Sequence, residues 1–206
     1  MLYMSGSVKK IGRVDEGNAH TDFMEIERRR GISVRAASAF LSWKGQPVNI
    51  IDTPGHSDFS SEVQRSIRAM DAAVMVVSAV EGVQPQTEVF WEALRSSGVP
   101  VMFFINKKDR EGSDVKRVLK EIENSFGVVL IPSFTEEKTV ITEILSGVND
   151  DLLEKYVEQG PGSISEEELL ESYVSSFSRS DVFPFVDGAA LIGEGVEELL
   201  DLIELL

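Results

Sequence analysis

Cysteine is absent from the 206 residues, which excludes a disulfide framework and any zinc site built on thiolates. No apolar run approaches the length needed to span a bilayer, and no N-terminal stretch has the charged, apolar and small-residue order of a secretory leader. The cytoplasm is therefore the expected location, with no membrane partner. Bases are also short: 20 Lys and Arg against 35 Asp and Glu leave a net charge of −15. Nucleic-acid binding depends on basic side chains displacing counterions from phosphates, so such a chain is a poor stand-alone binder. Its acid excess reads first as solubility. Any RNA contact has to come from a local stretch such as Glu27-Arg28-Arg29-Arg30 or from parts beyond these residues. The 42% hydrophobic content is enough for a real core of one domain or slightly more.

The apolar patterning predicts an α/β chain. Ser38 to Trp43 alternates, Lys44-Gly45-Gln46 turns, and Pro47 to Asp52 returns, an antiparallel hairpin with proline early in its second strand. Ser57 to Met70 has helical spacing through Phe59, Val63, Ile67 and Met70. Ala72 to Ala79 and Val99 to Ile105 are continuous apolar runs, the mark of strands covered on both faces. Helices are predicted near Gln86 to Ser97 and Asp114 to Phe126, a short strand over Gly127 to Ile131, and helix over Asn149 to Ser178 interrupted at Gly160-Pro161-Gly162-Ser163. A last strand is predicted at Val182 to Val186 and a last helix at Gly195 to Leu206. Strand and helix in alternation imply a mostly parallel sheet in a three-layer fold.

Three loops are expected at the C-terminal edge of that sheet, where open α/β folds bind ligands. In Asp52-Thr53-Pro54-Gly55 the carboxylate can hold a water of a Mg²⁺ shell, and the Gly55 N–H can approach a terminal phosphate closely. In Asn106-Lys107-Lys108-Asp109, Asp109 can accept from N1 and the exocyclic amino group of guanine, a donor pair that adenine lacks. Asn106 braces the loop, and the Lys107 stem covers the base plane. In Gly188-Ala189-Ala190-Leu191 a backbone N–H can reach guanine O6. Each tetrapeptide alone is an ordinary turn. Their order, each after a strand, points to a guanine-nucleotide domain.

With those motifs in place, the chain resembles the translational GTPases, in particular the elongation factor G group and its ribosomal-protection, tetracycline-resistance relatives. The similarity runs almost end to end, through LYMSGSVKKIGRVDEG, TDFMEIERRRGISVRAA, IIDTPGHSDF, EGVQPQTEVFWEAL, FFINKKDR, NDDLLEKYVEQG and DGAALIGEGVEELLDLI. It implies a GTP-binding (G) domain over 1–206 with a family-type insertion at about 127–181, GTP or GDP with Mg²⁺ as ligands, and the ribosome as partner. It also implies His56 as the catalytic histidine beside the attacking water, and Ser33 as a Mg²⁺ ligand where the family usually has threonine. Ser33 keeps the hydroxyl but loses the methyl that stiffens χ1. Ala189 stands where the family usually has serine. His20 has no such context and reads as a surface residue.

One family element has no counterpart. The pattern G-x-x-x-x-G-K-[ST], whose backbone N–H groups and lysine hold phosphates, does not occur; Gly12 to Gly17 is followed by Asn18-Ala19 instead. In the resemblance Met1 to Ser5 aligns with the end of the first helix, so about 25 residues of strand, loop and helix precede it by ordinary element lengths. A start assigned at an internal Met, or a deliberately shortened chain, is the expected explanation, ahead of a natural protein without the loop. In the strand order that the resemblance implies, the missing strand belongs between those at Val48–Asp52 and Ala73–Ser78, and its gap is expected to close by direct pairing, by another segment, or by self-association. Nucleotide binding by these residues alone is expected to be weak, and switch I, Asn18 to Ala37, mobile or refolded. A non-catalytic, nucleotide-independent binding or structural module is the alternative.

Overall fold

A computed structural model describes residues 1–10, 12, 21, 23–30, 32–135 and 138–206, the side chains of Arg28, Ser57 and Pro161 excepted. His20 and most of Gly12 to Gly17 lie outside the described residues, as do several positions of switch I. Two compact units are present: Met1–Asp71 with Gln84–Val99, and Ala72–Val83 with Pro100–Leu206.

In the first unit, Met1 to Gly6 forms turns rather than the end of a helix, with Ser5 N–H on the Met1 carbonyl. A short helix α1 (Glu25–Arg30) precedes the hairpin of β1 (Ala37–Trp43) and β2 (Gln46–Asp52). Lys44 and Gly45 both have positive φ, 47° and 89°, which matches the right-handed twist of the flanking strands and fixes a two-residue turn. The register runs from Trp43↔Gln46 to Ala37↔Asp52. Period-two alternation buries Ala37 and Leu41 and leaves Phe40 outside. A single 3-10 turn over Ser57–Phe59 leads into α2 (Ser60–Ile67), which buries Val63 and Ile67. Helix α3 (Pro85–Ser96) starts with Gln84 and Thr87 capping each other's backbone and with proline at the first position, then buries Trp91 and Leu94.

The second unit is built on a parallel four-stranded sheet in the order β3-β4-β6-β5, from β3 (Ala73–Ser78), β4 (Val101–Asn106), β5 (Leu130–Pro132) and β6 (Phe183–Asp187). Central β4 is buried from Val101 to Ile105, as its unbroken apolar run requires. Helix α4 (Val115–Phe126) is capped by the Asp114 carboxylate on Arg117 N–H and ends at Gly127, whose φ of 63° is the left-handed stop that glycine adopts without strain. Helices α5 (Lys138–Ser146), α6 (Asp150–Gln159) and α7 (Glu166–Ser178) follow, and α8 (Val196–Leu205) closes the chain. Tyr173 of α7 is fully buried and donates its hydroxyl to the Pro132 carbonyl at 2.9 Å, pinning the helix to β5; burial pushes its pKa well up.

The α/β class and the mostly parallel sheet match expectation. Helix α5 has no counterpart in the sequence reading. Direct pairing of β2 with β3 is also absent from the ladders of the described residues: β1 and β2 form a sheet of their own. The Asp52 loop therefore follows a hairpin strand and not a strand of the parallel sheet.

Candidate guanine-nucleotide site

Two neighbouring parallel strands, β4 and β6, end at the same edge and carry two of the three expected loops. Hydrogen bonds join the loops. Gly188 N–H reaches the Ile105 carbonyl at 2.9 Å, and Lys108 N–H reaches the Gly188 carbonyl at 3.1 Å. The Asn106 side-chain oxygen accepts from Lys107 N–H at 2.8 Å and from Ala190 N–H at 3.0 Å. Asn106 is thus the common acceptor of both loops. Lys107 has a φ of 66°, a left-handed conformation that a non-glycine side chain holds only when its surroundings impose it.

The next residue but one is Asp109. Its side chain is exposed, and its carboxylate has no protein partner among the described residues. An acceptor pair of this kind, on a loop held by its neighbours, is available to a ligand with two adjacent donors. Lys107 reaches Glu81 at 3.1 Å, in the loop after β3, so its stem is tethered at the far end. Bonds to Ser78 and Lys107 hold the Glu81 carboxyl below its ordinary value. That β3 loop is anchored in turn: Arg117 donates to the Val80 carbonyl at 2.8 Å, and Glu121 accepts from Val83 N–H at 3.3 Å.

In the loop after β6, Ala189 is buried and its N–H is taken by the Glu194 carbonyl, while Ala190 N–H is taken by Asn106. Neither alanine offers a free donor in this conformation. The next amide, Leu191 N–H, has no partner among the described residues. The loop closes tightly, since a Cβ on Gly188 would meet the Glu194 carbonyl oxygen at 2.2 Å and one on Gly195 the Asp187 carbonyl oxygen at 2.5 Å.

The remaining candidates lie in the first unit. Asp52 ends β2 half-buried, with no protein partner for its carboxylate among the described residues. Gly55 is exposed, and a Cβ there would meet nothing within 4 Å, so only a ligand could make close approach matter at this position. His56 is half exposed; its Nδ1 accepts from Asp58 N–H at 3.3 Å, which puts the proton of the neutral ring on Nε2. Ser33 follows α1 on a segment organised by Glu27. That carboxylate is buried and accepts from Met24 N–H at 2.8 Å, Val34 N–H at 2.9 Å and Arg35 N–H at 3.2 Å. Burial pushes the Glu27 carboxyl up, but these donors and Phe23 outweigh burial and hold it below its ordinary value.

Glu27 lies in the stretch read from sequence as a basic patch, and its place there is structural. Arg29 of the same stretch pairs with Glu25 at 2.7 Å on the surface. Glu27, Glu81, Lys108, Asp187 and Glu194 all escape sequence reasoning, because their partners are backbone groups or side chains far along the chain.

The Elongation factor Tu GTP binding domain model matches residues 1–206. The chain belongs to this GTP-binding domain family. Among its relatives, Tetracycline resistance protein TetP of Clostridium perfringens is 38% identical over 98% of this chain. Tetracycline resistance protein TetM from transposon Tn916 of Enterococcus faecalis is 37% identical over 98% of this chain. The chain spans 33% of the length of both. A crystal structure of a Thermus thermophilus protein superposes with a TM-score of 0.89 at 26% identity, covering 99% of this chain and 36% of that one. The family and the joined β4 and β6 loops agree on a guanine-nucleotide fold.

Proposed function

We propose that the chain is the GTP-binding and GTP-hydrolysing domain of a ribosome-associated translation factor, of the elongation or tetracycline-resistance type. The observation that carries this reading is the joined pair of loops, in which Asn106 fixes the β4 and β6 turns together and the Asp109 carboxylate has no protein partner among the described residues. Asp109 accepts N1–H and the 2-amino group of guanine, and adenine is rejected because it would leave a carboxylate facing an acceptor. The Lys107 stem, steadied by Glu81, lies along the base. Ala189 and Ala190 shape the turn whose remaining amide, that of Leu191, meets O6.

By the resemblance, Asp52 and Ser33 would hold Mg²⁺, the Gly55 N–H would meet the terminal phosphate, and His56 would orient the attacking water. The donors present are hard oxygens, the half-buried Asp52 carboxylate without a protein partner among the described residues and the Ser33 hydroxyl, and these suit Mg²⁺, which completes its shell with waters and substrate phosphates. Bound there, Mg²⁺ supplies charge neutralisation on the phosphates. His56 contributes its Nε2–H as a donor to the nucleophile or a phosphate oxygen. The relatives named as tetracycline resistance proteins support that type, and the ribosome as partner follows from the resemblance to translational GTPases.

Ligand-observed saturation-transfer NMR with GDP and ADP, in Mg²⁺, reads even millimolar binding. GDP signals are expected to attenuate and ADP signals not, with the preference lost in Asp109→Ala. Equal attenuation by both nucleotides, or none by either, would sink the reading.

A further inference from the structure

Lys108, between the two residues assigned to the base, reaches away from them to the β6 loop. Its ammonium lies 2.7 Å from Asp187 Oδ2 and 2.9 Å from Glu194 Oε1. Its backbone is fixed as well, N–H to the Gly188 carbonyl at 3.1 Å and carbonyl from the Ser113 hydroxyl at 2.8 Å. Asp187 and Glu194 are the two ends of the β6 loop. Their backbones cross so closely that neither Gly188 nor Gly195 has room for a Cβ. Ala189 and Glu194 exchange both backbone hydrogen bonds, at 3.0 and 3.2 Å. Two carboxylates are thereby brought to one place, and Lys108 is the cation between them.

We propose that Lys108 is a positioning residue for guanine specificity, locking the loop that carries Asp109 to the base of the β6 loop. The proposal rests on the guanine reading of Asp109. The joined loops then have two side-chain ties, one on each side of Lys107: Asn106 to Ala190, and Lys108 to Asp187 and Glu194. Hydrogen bonds to two adjacent donors on a planar base tolerate little displacement of either carboxylate oxygen. Without Lys108, Asp187 and Glu194 repel across the closed loop, and the Asp109 loop keeps the Asn106 side chain and backbone bonds toward the β6 loop, with Lys107 still on Glu81 of the β3 loop.

All three side chains are a third or more exposed, so the pair's contribution to overall stability is small. That separates a positioning role from a merely structural one. The Asn106 tie between the loops is untouched by changing Lys108, and the loss should appear in how tightly the 2-amino group is held.

The test compares GDP with IDP, which lacks only the 2-amino group, for the wild-type chain, Lys108→Met and Lys108→Arg. Saturation-transfer titrations give the affinity ratio, and hydrogen exchange gives the opening of the Ala190 and Gly188 amides. The wild type is expected to prefer GDP. Lys108→Met is expected to lose about fivefold of that preference, the upper range for a partly exposed pair, with faster exchange at both amides and an almost unchanged melting temperature. Lys108→Arg, which keeps the charge, should restore both. If Lys108→Met fails to fold, Glu194→Leu, which removes one of the two partners, carries the test. A wild-type preference for GDP that persists in the variants overturns the role of Lys108 alone. No preference in the wild type overturns the guanine reading and this proposal with it.

Discussion

The side-chain oxygen of Asn106 and the backbone N–H of Ala190 are 3.0 Å apart although 84 residues separate them in the chain. The same oxygen accepts from Lys107 N–H, whose backbone is in a left-handed conformation. Removing the acceptor in Asn106→Ala leaves both donors to solvent and frees Lys107 to relax. The stability cost is expected to be about 1 kcal/mol, since the bonds are only partly buried. GDP affinity should fall by more than that figure implies, because the β4 and β6 loops separate. Thermal melts and nucleotide titrations on the same variant give both numbers. A loss of stability with unchanged GDP affinity would show that the tie is structural only.

The parts of this site that were legible in the sequence are contiguous. Asn106-Lys107-Lys108-Asp109 follows the apolar run Val101–Ile105, and a strand ending in a polar loop needs no distant information. The hairpin was readable because Lys44-Gly45 is a turn between alternating strands. Helix α5 was not, since Thr139, Val140, Ile141 and Thr142 are β-branched and weaken any local helix preference. Burial of Ile141 and Leu145 decides the matter instead. Lys108 looks like any surface lysine until the fold brings Asp187 and Glu194 to it.

Glu27 offers a pH-dependent check on the segment that carries Ser33. Its folded pKa lies below the ordinary 4.5, so its stabilisation is fully present above about that pH. The contribution fades as pH falls through the lowered folded value. Glu27→Gln keeps the size and loses the charge, and hydrogen bonds to a charged acceptor contribute about 1.5–3 kcal/mol. The variant is therefore expected to melt below the wild type at pH 7, with the gap narrowing as the pH is lowered below the ordinary carboxylate value. A gap that stays constant with pH would refute the assignment of the charge to this latch.

Between α6 and α7, Lys155 grips both oxygens of Glu168, at 2.6 and 2.7 Å, while the same carboxylate caps Ser165 N–H at 2.9 Å. The Lys155 bond first, then those of Ser165, hold the Glu168 pKa down to about 2. The sign follows: this stabilisation is present above the unfolded value and is lost as pH drops from 4.5 toward 2. In Lys155→Met the Glu168 carboxyl should titrate nearer its ordinary value, read directly from its side-chain carbon resonance. An unshifted titration would mean that Ser165 alone sets it.

His56 carries the prediction for chemistry. Asp58 N–H occupies Nδ1 at 3.3 Å, so the neutral ring presents Nε2–H, and Asp58 Oδ2 lies 3.5 Å from the same Nδ1. Phe59 stands 6.1 Å away, ring centroid to ring centroid, and limits the swing of the imidazole. A side chain that only orients water and bonds a phosphate oxygen affects the reaction and not base recognition, which belongs to Asp109. His56→Ala is thus expected to slow GTP hydrolysis by about 10²–10⁴-fold, the usual worth of a positioned proton-handling group. Nucleotide selectivity should be unchanged. His56→Gln retains a donor of similar reach and should recover part of the rate. Single-turnover hydrolysis beside a GDP titration separates the two effects, and a variant that loses guanine binding together with the rate would place His56 in the fold of the loop rather than in its chemistry.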